Sequence, residues 1–309
     1  MAASFRDALA QALLEEGKQD KSIMVLTPDI ARALRLDNFV ETYPLQHIST
    51  GISELNTIGI ASGLSSLGLK PIVAGFSMFV GIRPFEQIRN IVAYPNLNVK
   101  IFATHCGICV GRDGATHQTL EDLALMRTLP NFTVLTACDF DQTKAAVHAS
   151  LAHIGPVYLR LGRDKATPVY HGNCEYKIGG SDVLKDGNDL AIFTMGTTTK
   201  YALDAAEELK IVGIDAAVIN AYSIKPIDKQ RILSYAKKCK RILTVEDHFM
   251  NGGLGSVIAE FLSRVNPVLM DFVGVNDTFG ESGDEIELYQ KYGLDTSMIV
   301  NKAKELLTR

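Results

Sequence analysis

The sequence predicts an α/β protein of two domains, the first built on a mostly parallel sheet and the second smaller. Short apolar segments of strand length alternate with segments of helical periodicity along most of the chain. A stretch rich in Gly, Pro, Asn, Asp and Lys interrupts this alternation at residues 166–188. We therefore expect a first domain at 1–165, a linker at 166–188 and a second domain at 189–309, sizes that suit a chain of 309 residues.

The first domain is predicted to open with an amphipathic helix at 3–16, where charged and apolar residues recur at helical spacing. Thr50 is the predicted N-cap of a helix at 51–67, whose small residues would allow close packing. The apolar segments between the helices are too short to be membrane helices and are therefore predicted strands. Strands are expected at 22–27, 71–79, 99–105, 132–138 and 156–163, and further helices at 85–94, 120–129 and 141–152.

The second domain repeats the alternation of strand and helix after the linker. Its four predicted strands are separated by helices, which again indicates an α/β sheet with helical cover. Strands are expected at 189–196, 215–224, 241–248 and 268–275, and helices at 198–212, 227–238, 254–264 and 296–308.

The composition is that of a globular protein, with 47% hydrophobic and 21% charged residues. A net charge of −4 gives no reason to expect nucleic acid or an anionic membrane as a partner. The N-terminal segment lacks the continuous apolar core of a signal peptide, and no apolar run reaches the length of a membrane span. The expected location is the cytoplasm.

The five cysteines are scattered, and two of them, Cys106 and Cys109, form a C-x-x-C pair. No second C-x-x-C and no pair of histidines lies at zinc spacing. We therefore expect reduced thiols at a strand end and no metal bound by this chain.

Glu54 is the first candidate for a functional residue, because it lies in the first turn of a predicted helix within the segment GISELNTIGIASGL. Acidic residues are favoured at helix N-termini by the backbone dipole, so the position alone has a structural explanation. The whole segment, however, resembles that of transketolases and related enzymes. In that family a glutamate forms a hydrogen bond to the aminopyrimidine ring of thiamine diphosphate and helps its amino group to take the proton from the thiazolium C2.

The resemblance extends over nearly the whole chain. TPDIA stands where the family has an A-D-L turn, and GFSMFVGIRPFEQIRN is similar to the segment whose aromatic residues stack on the pyrimidine. The loop THCGICVGRDGATHQTLEDLALMR resembles the family's substrate loop, and RILTVEDHFMNGGLGS resembles a part of its C-terminal domain. The resemblance implies thiamine diphosphate as the cofactor, bound in part by Asp29, Ile30, Glu54, Phe76 and Phe79.

The same resemblance implies residues that bind a sugar substrate. Asp113 and His117 would contact hydroxyl groups of a ketose, and His117, with Glu54, is a predicted catalytic residue. His105 would lie nearer to the terminal phosphate of the ketose. Arg6 and Arg163 match positions that bind this phosphate, a role that suits the planar guanidinium group.

The G-D-G…N signature of the family's diphosphate-binding domain does not occur in the sequence. The chain thus resembles the C-terminal subunit of a split transketolase, and we expect inactivity without an N-terminal partner subunit in an α2β2 assembly. That partner would bind the diphosphate through Mg²⁺ or Ca²⁺, since the sequence offers no magnesium ligands of its own. The expected reaction is transfer of a two-carbon ketol unit from a ketose to an aldose, as in the pentose phosphate reactions.

Three positions depart from the family pattern near the expected anionic end of the substrate. Ala33 and Leu34 replace residues with hydroxyl groups, and Arg112 replaces a glutamate. Arg32 and Arg35 could compensate for the missing hydroxyl groups. The substrate could therefore be an ordinary sugar phosphate, a sulfonated sugar or another unusual ketose.

Three alternative functions remain open from the sequence. The β subunit of a 2-oxoacid dehydrogenase has the same pair of domains but lacks the substrate loop. Deoxyxylulose phosphate synthase has a similar loop but is normally a single chain. A non-catalytic assembly partner could keep the fold without the chemistry, although the retained site residues argue against this.

Overall fold

The computed structural model describes residues 4–164, 167–172 and 174–309. The chain divides into two compact units: Met1–Cys106 with Leu125–Tyr176, and Gly107–Ala124 with Lys177–Arg309. The first residue of the helix predicted at 3–16 and part of the predicted linker lie outside the described residues. Within the described part of the chain, no helix combines the length and apolarity needed to cross a bilayer.

The first unit is a parallel sheet with helices. Its strands lie in the order β5-β6-β4-β3-β1-β2, and each neighbouring pair is parallel. Helix α5 spans the return of the chain from the second unit to the first. The elements are α1 Phe5–Gln19, β1 Ile23–Thr27, α2 Asp37–Thr42, β2 His47–Ser49, α3 Glu54–Ser66, β3 Lys70–Phe76, α4 Phe85–Gln87, β4 Lys100–Thr104, α5 Asp122–Thr128, β5 Thr133–Thr136, α6 Phe140–Ala152 and β6 Val157–Arg160.

Helix α1 begins with a capping box. The Ser4 hydroxyl accepts from the Asp7 backbone amide at 3.1 Å, and the Asp7 carboxylate accepts from the Ser4 amide at 3.1 Å. These two hydrogen bonds satisfy groups that the first turn of a helix leaves unpaired. The apolar stripe predicted from the sequence, including Phe5, Leu9 and Leu13, is fully buried.

Thr50 is not the N-cap of α3, which begins three residues later than predicted. The Thr50 hydroxyl instead lies 2.6 Å from the Thr57 hydroxyl. Gly51 has a φ of +70°, a left-handed conformation outside the helical range, so the helix cannot start there. Glu54 is consequently the first residue of α3.

The segment after β3 is less regular than predicted. The strand expected at 71–79 ends at Phe76, and a π-helical turn follows at Met78–Ile82. The helix expected at 85–94 has only three α-helical residues before a second π-helical stretch, Ile88–Ala93. Such wide turns have no signature in apolar periodicity and are frequent at functional sites.

The second unit is a mixed sheet with helices on it. The strand order is β12-β11-β8-β9-β7, parallel except for the antiparallel pair β7 and β9. Strand β7 lies within residues 166–188, and residues 107–124 pack with this unit. The elements are β7 Asp182–Lys185, β8 Leu190–Thr194, α7 Thr198–Ile211, β9 Ala216–Asn220, β10 Ser223–Lys225, α8 Lys229–Cys239, β11 Arg241–Phe249, α9 Leu254–Val265, β12 Leu269–Val275, α10 Glu285–Lys291 and α11 Thr296–Thr308.

A fully buried lysine, Lys100, opens the central strand β4. Its ammonium group donates to Asn98 Oδ1 at 2.7 Å and to the carbonyl oxygens of His153 and Gly155 at 2.8 and 2.6 Å. Burial, with a smaller contribution from the positive charge of Lys70, lowers the pKa of Lys100 to about 7.

We expect Lys100 to make the stability of the protein depend on pH. The unfolded chain keeps a proton on this lysine up to a pKa of 10.5, whereas the folded chain releases it near 7. The free energy of unfolding should therefore rise between these values, with a slope of up to about 1.4 kcal/mol per pH unit. Urea unfolding of Lys100→Met followed by circular dichroism should show a flatter pH dependence. Lys210→Met, which alters an exposed lysine, should keep the wild-type dependence of unfolding free energy on pH. A wild-type dependence in Lys100→Met would contradict the lowered pKa of Lys100.

Candidate active site

Five of the residues predicted to have functional roles gather at one edge of the first unit's sheet. In a parallel sheet the carboxyl ends of all strands meet at the same edge, where ligand sites of α/β proteins occur. Asp29 follows β1, Glu54 follows β2, Phe76 ends β3, His105 follows β4 and Arg163 follows β6.

The Glu54 side chain is buried and oriented by an arginine that the sequence analysis did not identify. Glu54 is only 5% exposed, and its Oε2 accepts a hydrogen bond from Arg83 Nη1 at 2.9 Å. Among the described residues, Arg83 is the group that forms a hydrogen bond with this carboxylate, and it does so through Oε2 alone. The guanidinium carbon of Arg83 also lies 4.8 Å from the centre of the Phe79 ring. Arg83 thus connects the carboxylate to the predicted aromatic surface.

The aromatic surface consists of Phe76 and Phe79, both half-buried. Their ring centres are 6.1 Å apart, with planes inclined by 28°. His105 is buried and packs on Phe76, with 3.7 Å between the two ring centres. Its Nδ1 lies 2.9 Å from the Thr104 hydroxyl, and its backbone has a positive φ of +59°. A non-glycine residue in this conformation is uncommon and is found more often at functional sites.

A polar cavity of about 280 Å³ lies beside the turn after β1. Its lining includes Asp29, Arg32 and His47. Asp29 is exposed with a φ of +59°, and Ile30 next to it is half-buried. The His47 ring nitrogen Nε2 lies 3.0 Å from the Thr27 hydroxyl, and burial lowers the pKa of His47.

Arg6 and Arg163, which are predicted to bind the anionic end of a substrate, both pair with the carboxylate of Asp164. Arg6 donates to Asp164 Oδ1 and to the carbonyl oxygen of Ala33 at 2.9 Å. The Nε of Arg163 lies 3.2 Å from the other oxygen of the same carboxylate, Asp164 Oδ2. The side chains of Arg6 and Arg163 are 14% and 28% exposed, so two poorly hydrated positive charges adjoin this position. The carboxylate of Asp164 balances part of this positive charge.

The positions that depart from the family pattern have distinct environments. Leu34 is fully buried and Ala33 is exposed. Arg35 donates to both carboxylate oxygens of Asp7 at 2.6 Å, whereas Arg32 lines the polar cavity. Of these two arginines, Arg32 is the one that lines the cavity, whereas Arg35 is paired with a carboxylate within the chain.

The remaining predicted residues, Asp113 and His117, belong to the second unit. Asp113 is exposed and His117 is half-buried, with Nδ1 2.9 Å from the Thr116 hydroxyl. The His117 amide donates to the carbonyl oxygen of Gly114 at 2.9 Å, which closes a turn. The roles of Asp113 and His117 in binding a sugar stay predictions.

The chemistry of these side chains suits an aminopyrimidine ring. Such a ring needs a flat apolar contact and a carboxyl group as hydrogen-bonding partner, and the half-buried phenyl rings and the Glu54 carboxylate are groups of these two kinds. For a divalent metal ion, the described residues contain no group of three or more His, Cys, Asp or Glu side chains in a suitable arrangement.

Two family models match the chain in succession. Residues 1–168 match the transketolase pyrimidine-binding domain, and residues 179–299 match the transketolase C-terminal domain. The first match contains Glu54, Phe76, Phe79 and the two arginines described above, and the second contains strands β8, β9 and β11.

Similar proteins of comparable length include proteins named as transketolase subunits. The 6-deoxy-6-sulfo-D-fructose transketolase subunit of Clostridium sp. strain MSTE9 is 38% identical, an alignment that covers 98% of this chain and 94% of that protein. A subunit of the apulose-4-phosphate transketolase of Phocaeicola vulgatus is 36% identical, with 98% and 97% covered. A 1-deoxy-D-xylulose-5-phosphate synthase of Pelotomaculum thermopropionicum is 31% identical, but the chain spans only 48% of its length.

A solved structure is similar to this chain over its whole length. A structure described as a split gene transketolase, an inactive β4 tetramer, superimposes with a TM-score of 0.92 at 40% identity and covers 100% of this chain and 99% of that one. Matches to both family models, relatives of the same length and this superposition agree on the ancestry of both units. The chain belongs to the transketolase family.

Proposed function

We propose that this chain is the pyrimidine-binding and C-terminal subunit of a thiamine diphosphate-dependent transketolase assembled from two kinds of subunit. The reaction we propose is transfer of a two-carbon ketol unit from an anionic ketose to an aldose. The observation that carries the proposal is Glu54, a buried carboxylate at the carboxyl edge of a parallel sheet that is held by Arg83 through one of its two oxygens.

Thiamine diphosphate, when bound, supplies a nucleophilic carbon and accepts the electron pair of the broken carbon–carbon bond. Glu54 Oε1 would share a proton with the ring nitrogen of the aminopyrimidine. Phe76 and Phe79 would contact the face of that ring, and Arg83 would fix the direction of the Glu54 carboxylate through its 2.9 Å bond to Oε2. Burial of Glu54 keeps bulk water from competing for the proton.

The positive charge of Arg6 and Arg163 supports a ketose with an anionic end. Two relatives are named for substrates of this kind, one a sulfonated fructose and the other a phosphorylated apulose. Asp164 pairs with both arginines in the absence of substrate, so an incoming anion would have to displace its carboxylate. The site would thereby favour substrates that bind the two guanidinium groups more strongly than a carboxylate does.

The diphosphate and its Mg²⁺ or Ca²⁺ ion would be bound by a partner subunit, in an α2β2 assembly. Two relatives named as transketolase subunits support a division of the enzyme between chains. Separation of the two halves of a cofactor site between chains would make activity depend on assembly.

Reconstitution tests this division of the site. The isolated chain with thiamine diphosphate, Mg²⁺, a ketose and an aldose should show no ketol transfer, because the proposed diphosphate site lies on the partner subunit. Addition of a diphosphate-binding transketolase subunit from the same organism should restore turnover in a coupled assay. Turnover by the isolated chain would contradict the two-subunit proposal.

Release of CO₂ from pyruvate, without ketol transfer, would support a function of the deoxyxylulose phosphate synthase type instead.

Glu54→Gln should leave cofactor binding nearly intact and lower kcat by on the order of 100-fold or more, since proton transfer and not docking is lost. Calorimetry would measure cofactor affinity in the assembled enzyme, and NMR would measure exchange of the thiazolium C2 proton. Glu86→Gln makes the same change at an exposed carboxylate and serves as the matched control. Exchange at the wild-type rate in Glu54→Gln would exclude this residue from the proposed role.

Changes to Arg163 and Asp164 should have opposite effects on anionic substrates. Arg163→Ala removes a charge-assisted hydrogen bond worth about 1.5–3 kcal/mol, so kcat/KM for fructose 6-phosphate should fall roughly 10- to 100-fold. Asp164→Asn removes the internal competitor and should raise kcat/KM for the same substrate. Neither variant should change kcat/KM for erythrulose, which has no charged end, by more than about twofold. Equal losses for both ketoses in Arg163→Ala would mean that Arg163 supports the fold instead.

A further inference from the structure

The segment that carries Asp113 and His117 is attached to the second unit by a buried carboxylate. We name this segment loop 107–119. Asp247, at the end of β11, is 1% exposed. Its Oδ1 accepts from the Ile108 amide at 2.8 Å, and its Oδ2 lies 3.3 Å from the Cys109 amide as a second acceptor. One side chain thus binds two successive backbone amides at the start of the loop.

The approach of Asp247 to the loop requires a glycine. Gly107 has a φ of +84°, and a Cβ atom at this position would lie 2.2 Å from Asp247 Oδ2. Both the backbone conformation and the contact distance exclude other residues here. Gly107 at the start of the loop therefore leaves the space that the Asp247 carboxylate needs to bind the amides of the next two residues.

A tyrosine completes the surroundings of the carboxylate. The Tyr289 hydroxyl donates to Asp247 Oδ2 at 2.8 Å and lies 2.7 Å from the Thr197 hydroxyl. Tyr289 is fully buried, and this burial, together with the negative charge of Asp247, raises the pKa of Tyr289 well above its usual value. The hydroxyl group consequently remains a hydrogen-bond donor at any physiological pH.

The other end of loop 107–119 is bound to the segment before α10. The Gln118 amide group donates to the carbonyl oxygens of Gly111 and Glu281 at 3.3 and 2.9 Å. Ser282 donates through its hydroxyl to the carbonyl oxygen of Arg112 at 2.6 Å. These bonds lie on either side of Asp113, so both ends of the loop have fixed partners in the C-terminal domain.

We propose that Asp247 is a positioning residue through which the C-terminal domain sets the affinity for the ketose. Asp247 holds the backbone of loop 107–119, and the loop in turn places Asp113 and His117 for contact with sugar hydroxyl groups. This inference rests on the proposed function of the chain. It gives the C-terminal domain a part in substrate binding without direct contact between Asp247 and the substrate.

The neighbouring residue provides a matched control. Glu246 is also fully buried on β11, but its oxygens accept from the amides of Leu254 and Gly255 at 2.7 and 2.8 Å, at the start of α9. A change of Glu246 to Gln therefore disturbs a buried carboxylate of the same strand whose two hydrogen bonds to backbone amides serve α9. A loss of stability alone would affect both variants alike.

The experiment compares Asp247→Asn, Tyr289→Phe and Glu246→Gln. In the isolated chain, hydrogen–deuterium exchange at the amides of Ile108 and Cys109 should become at least about tenfold faster in Asp247→Asn. The NH₂ group of asparagine is a donor only, so one of the two amides loses its acceptor. In the assembled enzyme the KM for the ketose should rise about tenfold, and kcat should fall by a smaller factor because the loop also carries His117. Tyr289→Phe should also raise the exchange rate of these two amides and the KM for the ketose, by smaller factors than Asp247→Asn does.

Glu246→Gln should leave the KM and the exchange of loop 107–119 at wild-type values. The proposal would be overturned by a wild-type KM in Asp247→Asn, or by an equal rise of KM in Glu246→Gln. If Asp247→Asn does not fold, Tyr289→Phe decides by the same two measurements. Failure of the wild-type assembly to transfer a ketol unit would contradict the proposed function. The exchange measurement on the isolated chain would then still decide whether Asp247 holds the loop.

Discussion

The organisation of the second unit depends on the binding of backbone amides by buried carboxylates at the end of β11. A buried charge without partners would be strongly unfavourable, so Asp247 and Glu246 are compatible with the fold only because amide groups surround them. The same bonds satisfy amides of loop 107–119 and of the first turn of α9, which would otherwise be unpaired in the interior. Two adjacent side chains thereby fix two segments that are distant in the sequence.

Local burial explains which parts of the fold the sequence could predict. Strands β4, β8 and β9 are buried along their whole length, and their continuous apolar runs gave bounds within a few residues of those observed. Helix α2 and strand β2 were missed because they are short and carry little apolar periodicity. The placement of residues 107–124 with the second unit depends on bonds that span 139 residues, which no local pattern contains.

The candidate site also contains residues that sequence motifs could predict and partners that depend on contacts between distant parts of the chain. Family motifs identified Glu54, Phe76 and Phe79, and the sheet brings the turns that carry them to one edge. The partners of these groups could not be read from a motif. Arg83 binds Glu54 from the position directly after a π-helical turn, and Asp164 pairs with Arg6 across 158 residues of sequence. Pairing of charges is decided by the tertiary fold, because Arg and Asp at such separations have no characteristic spacing.

The interleaved order of the two units has a consequence for biosynthesis. A ribosome that has made the chain as far as Tyr176 has completed every residue of the first unit, but residues 107–124 still lack β11. Another 71 residues, from 177 to 247, must be added before Asp247 exists, which takes roughly 4–14 s at typical elongation rates. Throughout that interval loop 107–119 lacks the carboxylate that binds its first backbone amides. The segment we associate with the sugar is thus among the last parts of the molecule to acquire its native shape, although it is encoded in the first half of the chain.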